Sequence, residues 1–212
     1  MSLTWRHPFT SLVTGPTGCG KTQFTIKLVK FAKTIIEPPP EKILWCFGIH
    51  QKAFDTISGV EFHEGIPETT TFGGKQRTLL ILDDLMHETD DRITKIFTKM
   101  SHHMDVSVLY LTQNLFYGGK QNRTIVLNAH YLVIFQNPRD VTQVANLALQ
   151  MYPGKTKFLV EAFKDATAKS FSYMLIDLKA DTDEKLRIRG NIFPGEESCA
   201  YIPKYKLSNS IL

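Results

Sequence analysis

The sequence predicts an α/β domain in which helices cover a mostly parallel central sheet. Three observations predict it. Strand-like and helix-like segments alternate along most of the chain. Several apolar runs are continuous rather than alternating, as in strands buried on both faces. Each of these runs ends in a glycine turn or in polar residues, as strands do where they stop at the ligand edge of a parallel sheet.

The elements follow in order. Residues 9–14 form a short apolar strand that runs into a glycine-rich turn, and residues 21–33 read as a helix. Phe24, Leu28 and Phe31 recur at i, i+4 and i+7 on one face of it, with Lys27, Lys30 and Lys33 on another. Pro38-Pro39-Pro40 forbids continuation. Residues 43–47 are a second strand, and residues 52–57 a possible short helix before a break at Gly73-Gly74. Residues 78–82 are a continuous apolar strand ending in Asp83-Asp84. A helix over 90–100 follows, capped by Thr89 or Asp90. Val106–Thr112 is another buried strand, ending in Gln113-Asn114, and residues 131–136 the next, ending in Asn137-Pro138-Arg139-Asp140. Val141–Met151 reads as an amphipathic helix and residues 171–178 as a further strand. The stretch after 181 reads as an edge hairpin or a loose arm, so the division expected is a domain over 1–180 and an extension over 181–212 packed on it.

At 212 residues the chain is long enough for one well-buried domain. Hydrophobic residues at 42% and charged ones at 22% are ordinary for a globular protein. No apolar run approaches the roughly 20 residues of a membrane span, and the first ten residues lack a signal pattern. Cys19, Cys46 and Cys199 share no metal-like spacing and read as reduced thiols. The net charge of +4 arises after Val106, where 13 basic residues face 9 acidic ones, against 12 and 12 before it. That excess permits a basic surface without proving nucleic-acid binding.

Gly15-Pro16-Thr17-Gly18-Cys19-Gly20-Lys21-Thr22 matches G-x-x-x-x-G-K-[ST] in full, between a predicted strand and a predicted helix. The glycines let the backbone turn tightly enough for several N–H groups to converge on phosphate oxygens. The helix behind adds its positive N-terminal dipole. Lys21 supplies a point charge to the β- and γ-phosphates, and the Thr22 hydroxyl a ligand to Mg²⁺. The same amides offer Cys19 a lowered pKa; the plainer reading is a small residue tolerated there.

The motif predicts a RecA-like P-loop NTPase that takes ATP and Mg²⁺, with the magnesium carboxylate on a neighbouring strand. Asp83 is that carboxylate. Asp84 is placed to polarise the attacking water, or only to cap the next turn, and aspartate is one methylene shorter than the usual glutamate. Gln113, at the end of its strand, would orient that water or sense the γ-phosphate. If Val106–Thr112 lies between the strand of residues 9–14 and that of residues 78–82, the sheet has the order of ATPases with a dedicated catalytic carboxylate.

The His7-Pro8-Phe9-Thr10 lead into the phosphate loop, Leu80–Leu85, Tyr110–Asn114 and Phe135–Asp140 together resemble the FtsK–HerA class of ring ATPases. Within it they look most like the viral genome-packaging branch of poxvirus-like viruses and of Polinton/Maverick-type elements with their adintovirus relatives. The similarity spans residues 7–151. It implies an ATPase that drives double-stranded DNA into a capsid, acting as a homo-oligomeric ring of five or six subunits with ATP between them. It implies a capsid or portal-vertex partner, and a place in the nucleus or cytoplasm of a host cell or in the virion. Such rings complete each site with a neighbour's arginine. Relatives often carry Arg-His before the Gln strand, where this chain has Ser101-His102-His103, and a neutral histidine does not replace a guanidinium. Arg123 and Arg139 are therefore the candidates. DNA contacts would come from the Gly118-Gly119-Lys120 loop with Arg123, and from Lys155 and Lys157. Phe116-Tyr117 would stack on DNA or simply pack. Three other readings remain open at this stage: a small nucleotide kinase, a non-packaging DNA-segregation or transfer ATPase, and a binding module switched by ATP.

Overall fold

A computed structural model describes residues 4–68, 72, 76–85, 90–100, 104–115, 119–139 and 141–204. The strands are β1 (Trp5–Arg6), β2 (Thr10–Thr14), β3 (Ile36–Glu37), β4 (Lys42–Phe47), β5 (Glu61–Glu64), β6 (Thr78–Asp83), β7 (Val106–Thr112), β8 (Tyr131–Phe135), β9 (Tyr173–Asp177), β10 (Ile188–Gly190) and β11 (Cys199–Tyr201). The helices are α1 (Lys21–Ile35), α2 (Asp90–Lys95), α3 (Gly119–Leu127), α4 (Val141–Met151) and α5 (Thr156–Ala166). α2 widens into a π-turn over Ile96–Met100.

Among the described residues, nine strands form one sheet in the order β11-β10-β9-β8-β2-β7-β6-β4-β5. The six from β5 to β8 are parallel, and β9, β10 and β11 add antiparallel pairings at the far edge. The apolar runs explain this placement. β2, β6, β7, β8 and β9 are buried at every residue, because both faces are covered. Leu12, Leu80, Val108, Leu132 and Met174 point to the face packed by α2 to α5. Val13, Ile81, Leu109, Val133 and Leu175 point to the face packed by α1. β7 sits between β2 and β6, the insertion expected of Val106–Thr112.

α1 buries Phe24, Leu28, Ala32 and Ile35, and Phe31 is only half-buried, against Phe193 at 6.2 Å between ring centroids. Phe24 meets Tyr173 at 4.8 Å and Phe193 at 5.2 Å, so the helix behind the phosphate loop is anchored to β9 and the loop after β10. The His-Pro-Phe-Thr lead has a structural role at the opposite edge from the strand ends. His7 Nε2–H donates to Asp105 Oδ1 at 3.1 Å, and His7 Nδ1 accepts from the Ser107 hydroxyl at 2.5 Å. Ser107 Oγ in turn accepts the Phe9 N–H at 3.2 Å. Burial holds the His7 pKa below its ordinary value against the pull of Asp105.

Several expectations need correction. The strand expected at 171 begins at Tyr173, because Phe171 has φ of 64° and leaves the extended region. Of the two readings of the stretch after 181, the edge hairpin holds: β10 and β11 pair antiparallel, and β10 pairs with β9. Arg123 lies within α3 and Lys157 in the first turn of α5, with Lys155 as its N-cap, so these cations sit on helices rather than loops. A glycine pair masks α3 in sequence. α5 carries a helical period in Leu159, Ala162 and Phe163 that was overlooked. Gly73-Gly74, Thr89, Ser101-His102-His103, Phe116-Tyr117, Gly118 and Asp140 lie outside the described residues.

Candidate active site

The site begins with register. Thr14 of β2 pairs with Thr112 of β7, and Leu111 of β7 with Asp83 of β6. Three parallel strands therefore stop level, and the residues that follow them, Gly15, Gln113 and Asp84, emerge at one edge. The Gly15 N–H donates to Thr112 O at 3.2 Å and ties the loop to the neighbouring strand end.

Gly20 caps α1 with φ of 111°, a left-handed conformation that glycine adopts without strain. Gly15 serves close approach: a Cβ there would meet Phe135 Cβ and Cys19 Sγ, each at 2.7 Å. Lys21 Nζ donates to Gly15 O at 2.5 Å and Pro16 O at 3.0 Å, which folds its stem along the loop. Burial lowers the Lys21 pKa, against the opposing pull of Cys19, Asp83 and Asp84.

Asp83 is 5% exposed, and its carboxyl is pushed up to about 6. Burial is the main cause. The Trp45 Nε1–H, donating at 3.3 Å, and the charge of Lys21 pull the other way, while Asp84 adds to the rise. Asp84 holds φ of 54°, uncommon for a side-chain-bearing residue. Cys19 fits the plainer reading: burial raises its pKa, outweighing Lys21 and the loop amides.

These groups share one cleft of about 390 Å³, lined by Thr17, Gly18, Gly20, Lys21, Thr22, Asp83, Asp84 and Gln113. Gln51 and Phe171 line it as well and were missed in the sequence. Gln51 caps a short 3₁₀ helix over Lys52–Thr56 and belongs to no motif that marks it as a site residue. Phe171 was read as part of a strand. Trp45, which hydrogen-bonds Asp83, was also missed, because the contact crosses from β4 to β6. Neither Arg123 nor Arg139 is among the described residues lining the cleft; both are exposed.

The donor set fits a hard dication. Thr22 offers a hydroxyl and Asp83 a carboxylate, both oxygen donors, the set by which proteins hold magnesium together with phosphate and water. No group of three His, Cys, Asp or Glu suited to a protein-only metal site occurs among the described residues.

The fold is a mostly parallel α/β sheet flanked by helices, with the G-x-x-x-x-G-K-T turn between β2 and α1. Solved structures of the genome packaging NTPase B204 from Sulfolobus turreted icosahedral virus 2 share it. Its complex with ATP-gammaS aligns with a TM-score of 0.51 at 13% identity, over 86% of this chain and 96% of that one. Its sulfate complex aligns at 0.52 and 12%, over 94% and 98%, and its AMPPCP complex at 0.51 and 13%, over 94% and 99%. No protein-family model and no curated protein matches the sequence.

Proposed function

We propose that this chain hydrolyses ATP to drive double-stranded DNA into a capsid, as a homo-oligomeric ring of the FtsK–HerA class. One observation carries the hydrolytic part: the phosphate loop, the Asp83-Asp84 pair and Gln113 face a single cleft. Fold similarity to a viral genome packaging NTPase supports the packaging part.

In this reading the loop amides and Lys21 bind the β- and γ-phosphates, and Thr22 and Asp83 hold Mg²⁺. The metal, when bound, neutralises phosphate charge. Gln113 orients a water. Asp84 takes its proton as the water oxygen attacks the γ-phosphorus and the bond to the bridging oxygen breaks, giving ADP and phosphate.

A neighbouring subunit completes the site with Arg139 or Arg123. Arg6, Arg77, Arg92, Arg187 and Arg189 all bond to acceptors within the chain. The guanidinium groups of Arg123 and Arg139 have no such partner among the described residues. DNA is held electrostatically, a capsid or portal-vertex protein receives the ring, and the work takes place inside a host cell or at the virion. No helix among the described residues is long and apolar enough to cross a membrane.

The deciding experiment is ATPase rate with and without long double-stranded DNA. Stimulation by DNA is expected. A rate indifferent to DNA, with phosphate passed to a nucleoside acceptor, refutes the motor in favour of a kinase.

A further inference from the structure

We infer that Phe171 is a stacking platform for the base of the bound nucleoside triphosphate, an inference that rests on the ATP-binding reading above.

The phosphate loop defines a direction. Asp83 and Asp84 follow β6, two strands to one side of β2. They mark the end of the cleft where the metal and the terminal phosphate belong. The base must then extend to the other side of the loop. Two strands that way lies β9, and because β9 is antiparallel its N-terminal end stands at the same sheet edge as the parallel strands' C-terminal ends. Phe171 stands two residues before that end. The distance from β6 to β9 is four strand spacings, about 19 Å at 4.8 Å each, a span on the scale of an extended nucleoside triphosphate.

Phe171 is built for this position. The residue is 69% exposed, and it lines the main cleft together with Thr17 and Lys21. It also borders two adjoining recesses, one of about 310 Å³ beside α1 and one of about 230 Å³ beside the end of β8. It packs against the loop itself: a Cβ added at Gly20 would touch Phe171 Cδ1 at 3.3 Å. Its backbone takes φ of 64°, which bulky residues seldom adopt. The turn is pinned by two donors of Ser172, whose N–H and hydroxyl reach Lys169 O at 3.1 and 2.6 Å. A lone exposed phenylalanine is unremarkable. One fixed in a left-handed turn, against the glycine that caps the phosphate-binding helix and inside the same cleft, presents a flat π-face where a base has to lie. Stacking of this kind is sequence-tolerant, since every base has a π-face, so the platform serves ATP and GTP alike.

The test is equilibrium binding of Mg²⁺–ATPγS, Mg²⁺–GTPγS and Mg²⁺–tripolyphosphate to the wild-type chain and to Phe171→Ala, Phe171→Leu and Phe171→Trp. The alanine and leucine variants are expected to lose about tenfold in affinity for both nucleotides and to keep tripolyphosphate affinity within about twofold. The tryptophan variant is expected to retain nucleotide affinity, with its fluorescence quenched by ATPγS and not by tripolyphosphate. Unchanged ATPγS affinity in the alanine and leucine variants overturns the platform; a change in oligomeric state alongside it assigns Phe171 to a subunit contact. Equal loss of nucleotide and tripolyphosphate overturns it too, because the ring then only supports the loop. A wild-type chain that binds tripolyphosphate leaves the phosphate-loop reading standing whatever the variants do. One that binds none of the three ligands refutes that reading and the platform with it.

Discussion

Replacing Asp83 by asparagine isolates the cost of holding a carboxylate at the end of β6. The side chain is 5% exposed, and its pKa rises from 3.8 to about 6. A rise of that size corresponds to about 3 kcal/mol. The sign follows from linkage: the folded chain binds the proton more tightly than the unfolded one. The group's stabilising contribution is therefore complete below the unfolded value of 3.8 and is lost as pH rises through about 6. Asparagine keeps the shape and an oxygen that accepts from Trp45 Nε1–H, and it carries no charge. Asp83→Asn should exceed the wild type in stability by about 3 kcal/mol at pH 8, and by less than about 1 kcal/mol at pH 4. Urea denaturation of both chains at the two pH values, with EDTA present, measures this directly. Equal stabilities at pH 8, or a gap that does not close at pH 4, would refute the desolvation argument. If Asp83 holds the metal as proposed, the same variant also loses ATP hydrolysis while gaining stability.

Lys21→Ala should abolish turnover and weaken ATP binding, since no other described residue lining the cleft is a cation; near-normal steady-state hydrolysis would contradict the site assignment. Arg139→Ala or Arg123→Ala should be inactive alone and regain activity when mixed with Lys21→Ala subunits, because each variant supplies what the other lacks. Failure of both mixtures to show ATPase activity would remove the support for a trans arginine. Gly15→Ala should destabilise the fold by about 1–3 kcal/mol and reduce ATP affinity at least about tenfold, because its Cβ would lie 2.7 Å from Phe135 Cβ and Cys19 Sγ. Thermal melting and isothermal titration check the two effects, and an unperturbed variant would show that the loop has slack.

The phosphate loop was legible in the sequence because its chemistry is local. Eight consecutive residues, Gly15 to Thr22, contain the turn, the charge and the hydroxyl that it needs. The strands buried on both faces were legible too, because such burial leaves runs such as Val106–Thr112 with no polar interruption, whereas β1, β3 and β5 left no such run. Strand order was less so: the place of β7 between β2 and β6 was an expectation that hydrogen-bond pairing had to decide.

Only the tertiary structure levelled Thr14, Thr112 and Asp83 at one edge. Only it brought Trp45 to Asp83 and buried Cys19 enough for desolvation to outweigh the loop amides. It alone turned Phe171 back toward a glycine 151 positions earlier. A residue's identity and its immediate neighbours set its chemistry and its local conformation. The groups that desolvate it or share its cleft come from strands and turns far along the chain, and packing of the whole sheet selects them.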